Sequence, residues 1–393
     1  MFIITVFLSI LGLICTDIFV PSLPHIATFF HQTQGDTQLT ISLFLAGFAI
    51  SQLFYGPFSD YYGRRPPLIV GTLLFIAGSV VCIFATVFDW LLVGRVIQGI
   101  GVGAGLSLAR VILRDCYQGT ELAIRSSKVG MCVSLTPALA PFLGGVLQQQ
   151  FGFRSSFIFM FLYGLLILTL LLFFFKETIH HKNKNLTMRH TVTQYGTLLK
   201  NRLFIRYVMT SGLAFSAIIL YANIMPFIAQ NQLKLSPVEN GLVILLAALG
   251  ICFGSFISSK TVAKLTPEKL VNMSLLSFAI AGFLLILTQT LFGTRLVFLI
   301  PLVFLSTISC GIIFPNAIAL CFTHIKCNIG IAGAIYGTVQ VSIAMITNFL
   351  LNTITYQNQD LLGMFYLGIG IIGILLCCNL QVFSKTVTKA LHA

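Results

Sequence analysis

Runs of about twenty apolar residues alternate with short polar gaps along the whole chain, and each run is long enough to cross a bilayer as a helix. Twelve such runs stand out, at 2–25, 37–58, 67–87, 90–112, 126–149, 154–175, 205–230, 238–258, 268–289, 294–320, 328–353 and 361–383. A hydrophilic stretch from Lys176 to Arg206, containing KETIHHKNKNLTMRH, separates six runs from six. It is too polar and too short to be a domain. The predicted fold is an all-α membrane protein with twelve transmembrane helices in two six-helix halves, 1–175 and 205–393, joined by a linker at 176–204. A worn internal repeat fits two halves: GPFSDYYGRR at 56–65 follows the second run, and GSFISSKTVAK at 254–264 follows the eighth. Paired halves of this kind occur in many secondary transporters.

Composition agrees with the pattern. Of 393 residues, 57% are hydrophobic and only 8% charged, against about 25% charged in soluble domains. Lipid must cover much of such a surface. The net charge of +13 does not point to nucleic acid, because the basic residues sit in the gaps between runs rather than on one face or tail. Of 23 Lys and Arg, only Arg95, Arg154, Lys234 and Arg295 fall at gaps on one side or in the outer part of a span; the other 19 lie on the opposite side. By the positive-inside rule both termini are cytoplasmic, in a multi-pass protein of the cell (inner) membrane. The NLT at Asn185 then faces the cytoplasm and is no glycosylation site. The opening MFIITVFLSILGLIC lacks a basic leader and a cleavage site, so it reads as a retained first helix. The ten Cys residues lie mostly inside apolar runs with no CxxC pair and no His-Cys cluster. They read as small hydrophobes, and no metal site is expected.

Several short stretches carry more specific information. GPFSDYYGRR lies between spans two and three, RVIQGIGVGAG at 95–105 in span four, TPALAPFLGG at 136–145 in span five and TDIFVPSLP at 16–24 in span one. The first resembles the signature loop of the major facilitator superfamily, G-x-L-[SA]-D-[RK]-x-G-R-[RK], with Gly56, Ser59, Asp60, Gly63, Arg64 and Arg65 matching and Phe58 and Tyr61 departing. The others resemble motifs of its proton-coupled drug exporters, with Ala140 standing where the span-five antiporter motif has Gly. ARVILRD at 109–115, MPFIAQ at 225–230, FPNAIA at 314–319 and AGAIYG at 332–337 look like the bicyclomycin-resistance subfamily, Bcr/CflA. The resemblance implies an antiporter that exports drugs or drug-like metabolites in exchange for protons.

The chemistry can also be read from the residues. Asp17 is the acid placed well inside a span, where a carboxylate costs several kcal/mol unless paired or neutralised. At about 1.5 Å of rise per residue, Arg95 in span four lies at a similar depth, and Gln98 shares its helix face. Asp17 is therefore expected to carry the proton, with Arg95 and Gln98 holding its charged form; a static packing pair is the bland alternative. The glycines of span four mimic a phosphate loop but follow no strand, so they read as packing residues. Pro137, Pro141, Gly144 and Gly145 in span five are expected to bend that helix and to allow close approach. In the resembling family this helix helps to seal the outer side.

Gly56, Asp60, Gly63, Arg64 and Arg65, with Arg110, Arg114 and Arg125 nearby, are expected to form a cytoplasmic charge cluster and latch, made in one conformation and broken in another; Gly56 and Pro57 would allow close helix approach. Gln52, Tyr55, Tyr221, Asn223, Asn316 and Gln340, with Asn348, are the polar candidates for a substrate cavity, each equally able to bond helix to helix. The second half shows no buried acid or base, which fits neutral, zwitterionic or amphiphilic cargo. There is no GxxxxGK[ST] and no other cofactor motif, so ion gradients must drive transport. The expected partners are a small-molecule substrate, protons and membrane lipid, with no nucleic acid, in a monomer. A proton symporter importing a nutrient, or a siderophore or peptide transporter of the same fold, is an alternative. A non-transporting sensor would not need Asp17, and an enzyme is not expected, since no span carries a catalytic cluster.

Overall fold

In a computed structural model, residues 1–179, 195–262, 264–323, 329–354 and 358–391 are described. The middle of the 176–204 linker, including Asn185, lies outside them. Twelve helices among the described residues are long and apolar enough to cross a membrane. They are α1 (Phe2–Phe29), α2 (Gln34–Tyr62), α3 (Arg65–Phe84), α4 (Phe88–Cys116), α5 (Gly119–Phe151), α6 (Arg154–Phe173), α7 (Arg202–Gln232), α8 (Pro237–Thr261), α9 (Pro267–Phe292), α10 (Leu296–Phe322), α11 (Ile329–Asn352) and α12 (Gln359–Leu391). Several outrun their apolar runs, because polar caps extend them past the hydrophobic stretch. Thr33 and Asp36 cap each other's backbone at the start of α2, and Ser236 and Glu239 do the same for α8. Such boxes satisfy two of the orphan amides at a helix start. Gly63 closes α2 at φ 103°, a backbone conformation that glycine alone adopts without strain.

Two helices depart from regularity. The α-helical part of α1 ends at Asp17; a 3-10 turn, Val20–Ser22, then leads into Leu23–Phe29. Pro21 and Pro24 explain the break, since neither donates a backbone hydrogen bond. α7 ends in a π turn, Ile228–Gln232, just after Pro226.

Packing repeats with a period of six helices. α2 and α3 pack on α4, α3 on α6, and α1 on α4; likewise α8 and α9 pack on α10, α9 on α12, and α7 on α10. Between the two groups, α5 meets α8 and α11 meets α2. Each of these contacts is the other's counterpart six helices on, so the internal repeat is plainer in packing than in sequence. With an even number of crossings, α1 begins and α12 ends at the same end of the bundle, here the terminal end; the other is the far end. Cys15, Cys82, Cys116, Cys132, Cys310 and Cys321 form no disulfide. Cys132 departs from the buried expectation: it is exposed on α5.

Candidate functional site

The break in α1 creates the first site. The last four carbonyls of an α-helix lack partners within it, and the Cys15 carbonyl accepts from Arg95 Nη2 at 3.2 Å. Arg95 Nε donates to the Thr40 carbonyl at 3.2 Å, and Nη1 to Gln98 Oε1 at 2.8 Å. The guanidinium lies against the Phe19 and Phe44 rings, 4.2 and 4.3 Å from their centroids. Carbonyl acceptors at a helix C-terminus and two aromatic faces are favourable surroundings for a cation, which is how Arg95 can be wholly buried. Gln98 continues the chain to Ser79 Oγ at 2.8 Å. Asp17, one turn from this network, is 5% exposed and makes no ion pair or side-chain hydrogen bond among the described residues. The structure therefore joins Arg95 to Gln98 and leaves Asp17 apart from both. The expected contact of Asp17 with Arg95 is missing because backbone carbonyls have already satisfied the guanidinium.

The far end holds the two halves together. A methyl group added at Gly144 would overlap the Ile18 carbonyl, and one at Gly145 the Pro237 carbonyl of α8. At Gly241 on α8 it would lie 2.8 Å from the Pro141 carbonyl. α5 runs unbroken through Pro137 and Pro141. The second seam joins α2 to α11. Gly35 faces the Asn352 carbonyl, and Asn348 Nδ2 donates to Ser42 Oγ at 2.7 Å. Asn223 Nδ2 donates to Asn348 Oδ1, and Gln38 Nε2 donates to the Asn223 carbonyl at 3.2 Å. Gln230 Nε2 adds a bond to the Pro21 carbonyl at 2.8 Å. Asn223 is thus a seam residue, not a cavity wall; it is fully buried.

The terminal end carries a second polar cluster, inside the first half. Arg64 Nη1 donates to Asp60 Oδ1 and to Ser59 Oγ, and Arg64 Nε to Asp115 Oδ2 at 2.9 Å. Glu177 accepts from the backbone amides of Arg64 and Arg65 at 2.9 and 3.1 Å, which caps the start of α3. Arg65 Nη2 donates to the Leu172 carbonyl at 2.7 Å. Burial alone would raise the Glu177 carboxyl; the amides of Arg64, Arg65, Ile179 and Thr178 outweigh it and hold it below the usual carboxylate range. Burial works against the Arg64 cation, but Asp115 and Asp60 overcome it and hold its pKa above the ordinary value. Two of the expected latch residues stand apart in this conformation. Arg114 is exposed and makes no ion pair or side-chain hydrogen bond among the described residues; its neighbour Asp115 makes the contact instead. A Cβ on Gly56 would meet nothing within 4 Å, so no helix approaches it closely here.

The remaining cavity candidates scatter. Asn316 Nδ2 donates to Ser258 Oγ and to the Ile312 carbonyl, both at 2.7 Å, and is a link between α8 and α10. Tyr221 is buried with its hydroxyl on the Val243 carbonyl at 3.4 Å. Tyr55 lines an apolar groove of about 490 Å³ with Ile50, Phe54, Val70 and Ile100, a lipid-side feature between α2, α3 and α4. Gln52 and Gln340 remain at the centre. Gln52 Oε1 lies against Gly337 of α11, and its Nε2 is buried without a hydrogen-bond partner. Gln340 Nε2 donates to Ser211 Oγ at 3.1 Å, and Ser211 also bonds the Tyr336 hydroxyl. The second half does bury one base, Arg206 at the start of α7, 7% exposed and 5.8 Å from the Tyr207 ring centroid.

Residues 3–349 match the sequence profile of the Major Facilitator Superfamily. The chain belongs to this superfamily. Among curated relatives of this major facilitator protein is the uncharacterized MFS-type transporter YdgK of Bacillus subtilis (strain 168). It is 29% identical over 344 residues, which cover 87% of this chain and 85% of the relative. The multidrug resistance protein MdtL of Citrobacter koseri is 28% identical over 370 residues, covering 93% and 92%. Among solved structures, a D-xylose-proton symporter matches with a TM-score of 0.77 at 16% identity, over 96% of each chain. A POT family transporter in complex with 5-aminolevulinic acid matches with a TM-score of 0.79 at 14% identity, over 98% and 96%. Relatives and neighbours are transporters rather than enzymes, and this chain is a multi-pass membrane transporter of small molecules with the major facilitator fold.

Sequence reasoning missed Asp115 and Glu177, although a signal existed. The chain has only ten acids. Two of them, outside the spans and near the basic terminal-end loops, had few roles left but to answer Arg64 and Arg65. It also missed the Gln38, Ser42, Asn348 and Asn352 seam, since nothing in a polar residue inside a span says which helix it will meet.

Proposed function

We propose that this transporter exports small organic molecules in exchange for protons, that it is a member of the Bcr/CflA subfamily, and that Asp17 carries the proton. The observation that carries the reading is Asp17 itself: a buried carboxyl beside a helix break with no cation or donor upon it. Ionised, such a group costs several kcal/mol, and taking up a proton removes that cost. Arg95, held by the Cys15 and Thr40 carbonyls and by Gln98, fits a neutral Asp17 in this conformation; losing the proton would draw the guanidinium across to the carboxylate. That exchange of partners would couple protonation to the geometry of α1, which itself packs against Gly144 of the seal.

With the basic terminal end in the cytoplasm, the sealed far end faces outward and the cargo reaches the cleft from inside. The Arg64 cluster is then a latch intact in this state. The MdtL relatives, named for multidrug resistance, favour efflux. A proton symporter is the second reading, favoured by the fold shared with a D-xylose-proton symporter.

The test uses proteoliposomes with an internal pH dye and an imposed proton gradient, challenged with drugs, amino acids, dipeptides and a siderophore. A compound is expected to collapse the gradient with wild type and not with Asp17→Asn. Equal proton movement in both would make Asp17 structural. Movement of proton and compound in the same direction would establish the symporter instead.

A further inference from the structure

Arg110 on α4 has no counter-ion among the described residues. Gly99, Gly103 and Arg110 share one face of α4 by helical spacing. α2 covers the upper part of that face: Gly99 abuts the Phe44 carbonyl, and Gly103 abuts Ser51. Ser107 Oγ is buried without a hydrogen-bond partner, and Arg110 is exposed, making no ion pair or side-chain hydrogen bond among the described residues. It lies within electrostatic reach of the Tyr336 hydroxyl on α11 of the other half. α4 touches α11 of the other half, and Arg110 lies on the Gly99 and Gly103 side of α4, about 80° of helical rotation from Ile100.

The ten acids can be counted off. Asp36 and Glu239 cap helices, Asp60 and Asp115 hold Arg64, Glu121 pairs with Arg125, and Glu177 caps α3. Asp89 and Asp360 lie in the first turns of α4 and α12 at the far end. Glu268 opens α9, in the field of Tyr207, and Asp17 lies in α1. No carboxylate of the chain is placed to neutralise Arg110. On α11, Tyr336 is linked through Ser211 to Gln340, and Gln52, whose buried Nε2 has no partner, lies beside Gly337 of the same helix.

We propose that Arg110 is the cation of an anion-recognising subsite between the halves, and that the cargo carries a carboxylate or phosphate. The proposal rests on the transport reading and narrows its cargo to organic anions. A guanidinium presents a planar fork of donors that matches either group. A topology-marking arginine would instead reach to the headgroups on the lipid side.

The test measures binding with no proton gradient, so it stands or falls apart from the antiport assay. Thermal stabilisation of the purified full-length protein is titrated with 2-naphthoate, 2-naphthyl phosphate and the neutral 2-naphthamide. Wild type is expected to bind at least one anion tenfold or more tighter than the amide; which anion wins separates carboxylate from phosphate cargo. Arg110→Gln should reduce that preference to near unity, Arg110→Lys should restore part of it, and Lys260→Gln, a basic change elsewhere at the terminal end, should keep it. Equal binding of amide and anions by wild type, no binding of any of the three, or an unchanged preference in a folded Arg110→Gln protein would overturn the proposal.

Discussion

The pair α2 and α11 is packed at one end and parted at the other. The two helices run antiparallel, and their contacts follow one register: Gly35 with Asn352, Ser42 with Asn348, Gln52 with Gly337. The next step in that register would bring Gly56 to Gly333. Neither has anything within 4 Å of where its Cβ would stand. Both ends of this seam therefore carry small residues fit for close approach, but only one end is in use. A rigid packing surface has no need of idle glycines, whereas two halves that rock about a midpoint use each end in turn. The sequence expectation that Gly56 permits close approach belongs, on this comparison, to the conformation with the terminal end shut.

Three substitutions sharpen or break that contrast, in decreasing order of effect. Gly145→Ala places a methyl against the Pro237 backbone of α8, which cannot swing aside as a side chain can. It should cost about 1–3 kcal/mol by overpacking and lower transport in proteoliposomes at least tenfold. Retention of full transport would mean that the far-end seal is not required for the cycle. Asn348→Leu removes the acceptor of Asn223 and the donor to Ser42, leaving buried polar groups unmatched at about 1–3 kcal/mol. Faster amide exchange is expected in residues 34–42, and unchanged exchange would show that the seam is held by packing alone. Gly333→Ala meets no neighbour and should be neutral or stabilise this conformation by up to about 1 kcal/mol through helix propensity. A marked fall in thermal stability would show that α11 does not part from α2 at this level.

The difference in legibility has physical causes. The spans could be placed because bilayer thickness fixes their length and because nothing but a helix satisfies a lone backbone in lipid. The pairing of Arg95 with Gln98 was visible because residues three apart share a helix face. The partner of Arg95 was not. The break after Asp17, set by Pro21 and Pro24, freed the Cys15 carbonyl, which with the Thr40 carbonyl of α2 took the guanidinium, and a carbonyl leaves no trace in a list of residue types. Asn223 and Asn316 looked alike in sequence, yet one seals the halves and the other joins α8 to α10, because helix rotation is set by neighbours.

The sequence by itself determined the twelve crossings, the two-fold grouping, the family, and the few residues whose charge is costly inside a membrane. These follow from local composition and spacing, which need no knowledge of what lies opposite. The tertiary structure decided which of those residues meet. It joined Arg64 to Asp115 rather than setting Arg114 in the latch, kept Asp17 apart from Arg95, and left Arg110 with no acid to answer it among the described residues. Such choices depend on the relative rotation and tilt of helices far apart in the chain, and these are fixed only when all the small residues at the seams are packed at once.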